Sequence, residues 1–122
     1  MGDQWLNIAN SFVQHYYQQF DTNRSALGVL YTDQSMLTYE NQQFMGIQAI
    51  GQKYGELPGI KHANIALDAQ PSLNNAIICQ VAGDLLIDGQ EHAMKFTQTF
   101  YLVPGGQQGY YCHHDIFRLN LG

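Results

Sequence analysis

The spacing of the apolar residues changes once along this chain, and that change limits the folds open to it. Up to Pro58 the apolar residues recur at helical spacing, whereas beyond it they alternate with polar residues. Alternation with a period of two is typical of strands with one buried face. Helices followed by long strands predict an α+β fold in which the helices pack on a sheet.

The N-terminal segment has a complete helical stripe. Its apolar positions follow the i, i+3, i+4, i+7 rule, and they are Trp5, Ile8, Ala9, Phe12, Val13, Tyr16, Tyr17 and Phe20. Asp3 is placed to cap this helix. A short second helix is expected through Leu27 and Leu30. A third helix is expected to end at Pro58-Gly59 and to bury Ile47, Ile50, Tyr54 and Leu57.

The strands are predicted to form one strongly curved antiparallel sheet. Residues 35–39 and 43–45 form a short pair, and residues 63–69, 76–87, 93–103 and 110–119 form a meander joined by short polar turns. Gly83 marks a bulge or a bend within its strand. Such a sheet, wrapped around the N-terminal helices, makes a cone with an apolar cavity.

The sheet is too apolar for one of its faces to be left in water. The strand around Phe100 has apolar residues on both sides, and Ile77, Ile78, Val81, Leu85 and Leu86 also fall on both sides of theirs. Charged residues make up only 12% of the chain, about half the usual share. These patterns predict that a second copy covers one face in a symmetric dimer.

The charge balance excludes some partners. The chain has 10 acidic and 5 Lys and Arg residues, with a net charge of −5. Nucleic-acid binding needs clustered Lys and Arg, and so does binding to an anionic membrane surface. The acidic balance is better suited to a basic protein partner.

Cysteine usage and the N-terminus point to an intracellular domain without cofactors. Cys79 and Cys112 lie in apolar strand patterns, which predicts two buried free thiols, and their spacing is not that of a zinc site. No metal or cofactor is expected. The chain shows neither a signal-peptide pattern nor a membrane-length apolar run, which predicts a cytosolic or nuclear protein. At 122 residues, a single domain spanning 1–122 is expected.

Five motifs, in order along the chain, resemble the nuclear transport factor 2 family. They are His15-Tyr16-Tyr17 with Phe20-Asp21, the segment 37–44 with Gly46, and the segments 83–88, 96–102 and 115–120. The resemblance implies a cone-shaped homodimer that is a carrier and not an enzyme. It implies that the chain takes the GDP-bound form of the small GTPase Ran into the nucleus. It also implies a location in cytoplasm and nucleus, enriched at the nuclear pore.

The resemblance also implies a Ran-binding site at the mouth of the cone. In the family, an aromatic side chain of Ran enters the cone, and acidic residues at its rim pair with basic residues of Ran. By position, the rim acids are Glu40, Asp88 and Glu91, and the pocket residues are Tyr39, Leu57, Ile60, Met94, Ile116 and Phe117. Taken without the resemblance, Glu40 and Asp88 are ordinary turn residues.

A second surface of the family binds the phenylalanine-glycine repeats of nucleoporins. Trp5 matches the N-terminal aromatic residue that contributes to this surface, so the resemblance implies that Trp5 binds FxFG repeats. Trp5 also belongs to the helical stripe, and the pattern by itself favours a core residue.

The alternative function is an enzyme, because related cones hold small-molecule isomerases and dehydratases. The titratable groups for such a site are His62, Asp115, Tyr101 and Tyr17. As structural residues, His62 could instead pair with Asp115 and orient it in the core. No spacing among them marks an acid and base pair. His113 and His114 are expected to point to opposite faces of their strand, which makes a poor metal site. A third interpretation is a bare dimerisation module that is fused to other domains elsewhere.

Overall fold

The computed structural model describes residues 4–120, and in it the helices pack against one face of a six-stranded sheet. The α-helices are α1 (Gln4–Thr22) and α2 (Ile47–Gly55), and 3₁₀ helices span Arg24–Leu30 and Leu73–Asn75. The strands are β1 (Met36–Tyr39), β2 (Gln42–Met45), β3 (Ile60–Pro71), β4 (Ile77–Ile87), β5 (Met94–Pro104) and β6 (Tyr110–Asn120). The predicted cap Asp3 lies outside the described residues.

Helix α1 buries the stripe that its sequence predicts. Its buried residues are Ala9, Phe12, Val13, Tyr16, Tyr17 and Phe20. The ring of Tyr16 packs edge-on against Phe100 of β5, with 4.7 Å between their centroids. Helix α2 departs from its prediction in its first turn, where Ile47 is 37% exposed, although Ile50 and Tyr54 are buried. The helices therefore pack mainly through aromatic rings, and α1 supplies the larger share of them.

The strand order in the sheet is β2-β1-β6-β5-β4-β3. The predicted meander is confirmed, since β3 to β6 pair antiparallel in sequence order. Strand β1, however, pairs parallel with β6, which places Tyr39 opposite Phe117 and makes the sheet mixed rather than antiparallel. The β1–β2 hairpin docks on the free edge of β6, and no short turn links these strands to fix their relative direction.

Gly83 faces a bulge that belongs to the neighbouring strand. The pairing of β3 with β4 skips one residue between Ala63 and Ala66. A Cβ atom on Gly83 would lie 2.8 Å from Ile65 Cδ1 and 3.2 Å from the Ala63 carbonyl oxygen. Glycine is therefore needed here because the bulged strand approaches its backbone closely. The predicted irregularity is confirmed, but the extra residue lies in β3.

The outer face of the sheet, away from the helices, exposes large apolar side chains. They are Met36 on β1, Met45 on β2, Ile78 and Leu86 on β4, and Ile116 on β6. Each is adjacent in sequence to a buried or half-buried residue that faces the helices, as the two-residue period of a strand requires. Isolated apolar residues are normal on a protein surface, but several on one sheet face are typical of an interaction surface.

A second bulge, in β6, corrects the prediction for the two adjacent histidines. The pairing of β5 with β6 skips His113, between the partners of Tyr101 and Leu102. As a result, the rings of His113 and His114 lie 4.4 Å apart, centroid to centroid, so they do not point to opposite faces. The Nδ1 atom of His113 is buried without a hydrogen-bond partner among the described residues.

Candidate functional site

Side chains from both halves of the sheet converge on a small cavity at one end of the cone. Its volume is about 10 Å³, which is close to the minimum for a single water molecule. It is lined by Phe20, Tyr39, Tyr54, Leu57, Ile60, His62, Leu85, Gln98 and Phe117. We call this cavity the pocket. It contains four of the predicted pocket residues, Tyr39, Leu57, Ile60 and Phe117.

One wall of the pocket is a stack of aromatic rings. Tyr39 lies parallel to Phe117 with 4.7 Å between centroids, and Phe117 lies on Phe96 at 5.7 Å. The parallel pairing of β1 with β6 sets this stack, because it places Tyr39 directly beside Phe117. On the other side of the Tyr39 ring, the Lys53 ammonium lies 4.8 Å from the centroid. Burial raises the pKa of Tyr39, and the neighbouring Glu40 raises it further.

Glu40 lies next to this wall, in the turn between β1 and β2. Its backbone N–H donates to the Phe117 carbonyl at 3.3 Å, and its side-chain Oε1 accepts the backbone N–H of Leu119. Its Oε2 atom lies 3.9 Å from the Arg118 guanidinium. These contacts fix the carboxylate at the end of the β1–β6 pair, with 29% of the side chain exposed.

Asp88 lies on the side of the pocket formed by β3 and β4. It follows β4 directly, and its N–H donates to the Gly59 carbonyl at 2.9 Å. A Cβ atom on Gly59 would lie 2.0 Å from Asp88 Oδ2, so the carboxylate rests against the bare Cα of this glycine. Gly59 lies between Leu57 and Ile60 in the sequence, next to Pro58, and both Leu57 and Ile60 line the pocket. The structure thus places one predicted rim acid on each side of the pocket.

The other predicted site residues lie away from the pocket lining. Met94 pairs with Leu85, a pocket residue, and packs against the core at the edge of the lining. Glu91 is exposed in the loop between β4 and β5. Ile116 is 50% exposed on the outer face, and its prediction as a pocket residue is not met. Because strand side chains alternate, Ile116 and its neighbour Phe117 face opposite sides of the sheet.

Asp115 lies at the centre of a buried hydrogen-bond network behind the pocket. Its Oδ2 accepts the hydroxyls of Tyr54 at 2.7 Å, Tyr31 at 2.8 Å and Tyr16 at 3.4 Å. Its Oδ1 accepts the side-chain amide of Gln98 at 2.7 Å. Burial raises the pKa of Asp115, and these donors oppose the shift. A carboxyl group that is already bonded on both oxygens is poorly placed to act as a base.

The predicted core pair of His62 with Asp115 is not formed, because His62 is paired with Asp21. His62 Nδ1 lies 2.6 Å from Asp21 Oδ1, and the His62 backbone N–H donates to Asp21 Oδ2 at 2.8 Å. Burial lowers the pKa of His62, while the bond to Asp21 opposes that shift. The two groups that could have formed an acid and base pair are therefore each committed to other partners.

Sequence reasoning did not assign several of the pocket's lining residues to it. They are Phe20, Tyr54, His62, Leu85 and Gln98. The apolar ones lie on a helical stripe or at an alternating strand position, which predicts burial but not which buried residues surround a cavity. Arg24 was missed as well, although it donates hydrogen bonds to the end of α2 and to the loop that follows it.

Trp5 lies at the opposite end of the cone from the pocket. It is half-buried, and it lines a surface groove of about 480 Å³ together with Gln4, Ile8, Pro71, Ser72, Asn75, Ala76, Pro104 and Tyr110. Trp5 therefore fits both predicted alternatives, the core residue and the surface residue. Part of the indole packs on the core, and part faces the groove.

Cys79 and Cys112 are buried free thiols, as predicted. Burial raises the pKa of Cys79 to about 12, which makes it an unreactive thiol. Within residues 4–120 there is no cluster of three or more His, Cys, Asp and Glu side chains that could hold a metal ion. The described helices are all too short or too polar to cross a membrane.

Comparison with known proteins identifies the relatives of this chain. Residues 8–119 match the Nuclear transport factor 2 (NTF2) domain. Nuclear transport factor 2 of Eremothecium gossypii is 48% identical over 116 residues, which cover 93% of this chain and 92% of the relative. That of Saccharomyces cerevisiae is 47% identical with the same coverage. The solved structure of nuclear transport factor 2 from Cryptosporidium parvum superposes with a TM-score of 0.89 at 46% identity, covering 98% of both chains.

Proposed function

The chain belongs to the nuclear transport factor 2 family, and from this premise we propose that it is a nuclear import carrier for the GDP-bound form of Ran. Its relatives are named as nuclear transport factors, which supports a role in nuclear transport and a non-enzymatic one. The carrier works between cytoplasm and nucleus and is enriched at the nuclear pore. The proposal assigns Ran to the pocket and nucleoporin repeats to the groove at Trp5.

The observation that carries the proposal is an apolar pocket with a carboxylate on each side. Glu40 is fixed beside Tyr39 and Phe117, and Asp88 rests against Gly59 on the side of Leu57 and Ile60. Burial of one aromatic side chain contributes about 1.5–3 kcal/mol, which alone is too little for a specific complex. Two carboxylates flanking the pocket select an aromatic residue with basic neighbours, because opposite charges speed association and exclude wrong partners.

The pocket must widen before it can receive an aromatic ring. Cavities that bind benzene measure on the order of 150 Å³, against about 10 Å³ here. Tyr39 and Leu57 are only half-buried, so they are the lining residues with most freedom to move outward. Widening the pocket costs free energy, and this cost reduces the net free energy of binding the aromatic ring. A moderate affinity results, which suits a carrier that must release its cargo.

Two further surfaces complete the proposed carrier. The exposed apolar side chains on the outer face of the sheet support a homodimer built sheet against sheet. The groove at Trp5 offers half-buried aromatic surface, from Trp5 and Tyr110, to the phenylalanines of FxFG repeats. Both surfaces lie away from the pocket, so Ran and nucleoporins can bind at the same time.

The test is calorimetric binding of Ran in its GDP and GTP forms, with the Glu40→Gln variant alongside. Glutamine keeps an oxygen that can accept the Leu119 N–H, so the local structure is retained while the charge is removed. We expect the GDP form to bind and the GTP form not to bind. Glu40→Gln is expected to weaken binding by about thirtyfold or more, since truncating one partner of a buried charge pair costs roughly 2–5 kcal/mol.

Asp33→Asn is the matched control for this experiment. It removes the same charge from an exposed turn at the other end of β1 from Glu40. We expect it to bind GDP-bound Ran with unchanged affinity. Equal binding of both nucleotide forms, or equal losses in Glu40→Gln and Asp33→Asn, would contradict the proposal.

A further inference from the structure

Arg24 donates hydrogen bonds to backbone carbonyls at the end of α2 and in the loop that follows it. Its Nη1 donates to the carbonyls of Tyr54 at 3.1 Å and Leu57 at 2.9 Å, and its Nη2 donates to that of Pro58 at 2.9 Å. The guanidinium lies over the Phe20 ring, 4.5 Å from the centroid. A single planar group thus joins the last turn of α2 to the carbonyls of Leu57 and Pro58, which lie between α2 and β3.

The segment held by Arg24 forms one side of the pocket and supports a rim acid. Leu57 lines the pocket, and the Gly59 carbonyl, one residue beyond Pro58, accepts the Asp88 N–H at 2.9 Å. The Asp88 carboxylate also rests on the bare Cα of Gly59. Asp88 itself is exposed. Its position therefore depends on where the 57–59 segment lies.

We propose that Arg24 is a positioning residue that fixes the 57–59 segment and, through Gly59, the Asp88 carboxylate at the rim. The effect of Arg24 on Ran binding rests on the proposed function, but its effect on the position of Asp88 does not. Glu40 is independent of Arg24, because its carboxylate is held by Leu119 on the other side of the pocket. Arg24 therefore acts on one rim acid and not on the other.

Arg24→Lys is the variant that tests this role, because it keeps the positive charge and removes the planar guanidinium with its several N–H donors. A lysine ammonium is compact and cannot span the carbonyls of Tyr54, Leu57 and Pro58 in the same planar geometry. Arg118→Lys is the matched control, since the Arg118 side chain is 55% exposed and lies near Glu40. Neither substitution changes the net charge of the chain.

The first measurement is backbone amide hydrogen exchange by NMR, which needs no partner. The Asp88 amide bonds to Gly59 and the Glu40 amide bonds to Phe117, so the two report on opposite sides of the pocket. In Arg24→Lys we expect exchange at Asp88 to be faster by about tenfold, with exchange at Glu40 unchanged. Arg118→Lys should leave the Asp88 amide unchanged. Equal acceleration at both amides would mean general destabilisation and would overturn the proposal.

The second measurement is a double-mutant cycle on affinity for GDP-bound Ran. Arg24→Lys is expected to weaken binding by about three- to tenfold, and adding Asp88→Asn should weaken it little further. When Arg24→Lys is combined with Glu40→Gln, the two fold-losses in affinity for GDP-bound Ran should instead multiply. Multiplication in both cycles would overturn the role assigned to Arg24. If the wild type binds neither form of Ran while the exchange result is as expected, the function proposed above fails and the positioning role of Arg24 is upheld.

Gly59→Ala provides a second route if Arg24→Lys does not fold. Gly59 is exposed, and its added methyl group would displace the Asp88 carboxylate, which lies 2.0 Å from that position, while Arg24 is left intact. We expect Gly59→Ala to lose as much affinity for GDP-bound Ran as Asp88→Asn does, and to speed exchange of the Asp88 amide. Unchanged exchange of the Asp88 amide in Gly59→Ala would show that the 57–59 segment does not hold Asp88. This result would contradict the proposal.

Discussion

Asp115 shows at the scale of one residue how this core tolerates a carboxyl group. Burying a polar group without partners is costly, and Asp115 avoids that cost by accepting bonds from three tyrosine hydroxyls and one glutamine amide. The same network leaves no oxygen of Asp115 facing the pocket as a free acceptor. The residue therefore contributes to the stability and uniqueness of the core rather than to the lining of the pocket.

The Asp115→Asn variant tests this assignment through its dependence on pH. Burial raises the pKa of Asp115 in the folded protein above its ordinary value of 3.8. Its favourable contribution is therefore complete below 3.8 and decreases as the pH rises through the folded pKa. We expect Asp115→Asn to lower the free energy of unfolding by about 1–3 kcal/mol at the acidic end. The difference from wild type should shrink as the pH rises from 3.8 through the folded pKa, measured by urea unfolding.

Asp84→Asn is the control for the pH experiment. Its bonds to Asn64 and Lys95 lower the pKa of Asp84 below 3.8, so its contribution is constant above that value. The difference between Asp84→Asn and wild type should be flat over the same pH range. A difference for Asp115→Asn that is equally flat, or that grows with pH, contradicts the assignment of a raised pKa to Asp115.

At the scale of elements, the bulge in β3 sets how closely two strands approach. The bulged residues bring Ile65 and the Ala63 carbonyl onto Gly83 of β4, where a larger residue would collide. Bulges increase the local twist of a sheet, and this one lies next to Phe96 of the aromatic stack. The bulge, and the twist it adds to the sheet, therefore require glycine at position 83.

We expect Gly83→Ala to destabilise the fold by about 1–3 kcal/mol, as overpacked cores do. The new methyl group would lie 2.8 Å from Ile65 Cδ1. Adding Ile65→Val removes that atom and should restore part of the lost stability in thermal or urea unfolding. Gly51→Ala in α2 is the matched control, since nothing lies within 4 Å of its added Cβ. It should be stabilising by roughly 0.5–1 kcal/mol. A Gly83→Ala variant as stable as wild type would show that the bulge can relax.

At the scale of the whole molecule, the two faces of the sheet differ in what their side chains contact. The inner face holds the core and the pocket, and the outer face exposes five large apolar side chains, on β1, β2, β4 and β6. Ile116 and Phe117 show the division most directly, because adjacent residues of one strand contribute to opposite faces. The proposed dimer uses the outer face, so it can form without closing the pocket.

Ile116→Lys is expected to produce a monomer that stays folded. A lysine at a position that is 50% exposed in the single chain is tolerated there, but in a sheet-to-sheet interface it would leave a buried unpaired charge. Sedimentation velocity should report a dimer for wild type and a monomer for the variant, with unchanged far-ultraviolet circular dichroism. Gln14→Lys, on the exposed side of α1, should remain dimeric. A dimeric Ile116→Lys would place the interface elsewhere.

Most of the secondary structure could be predicted from the sequence, because local periodicity records which side of each element is buried. The helical stripe of α1 and the alternation after Pro58 predicted α1 and the antiparallel meander with small errors at their ends. The motifs predicted the family, which the comparisons confirmed. They also named four residues that line the pocket together, Tyr39, Leu57, Ile60 and Phe117.

The sequence by itself therefore determined the elements, the buried side of most of them, and the family. Only the tertiary structure decided the parallel pairing of β1 with β6, the outward position of Ile116, the partner of His62, and the bonds of Arg24 to the 57–59 segment. Periodicity is a property of neighbours along the chain, whereas these features join residues that are far apart in sequence or shift by one residue at a bulge. Their positions depend on how complete elements pack, which no local pattern records.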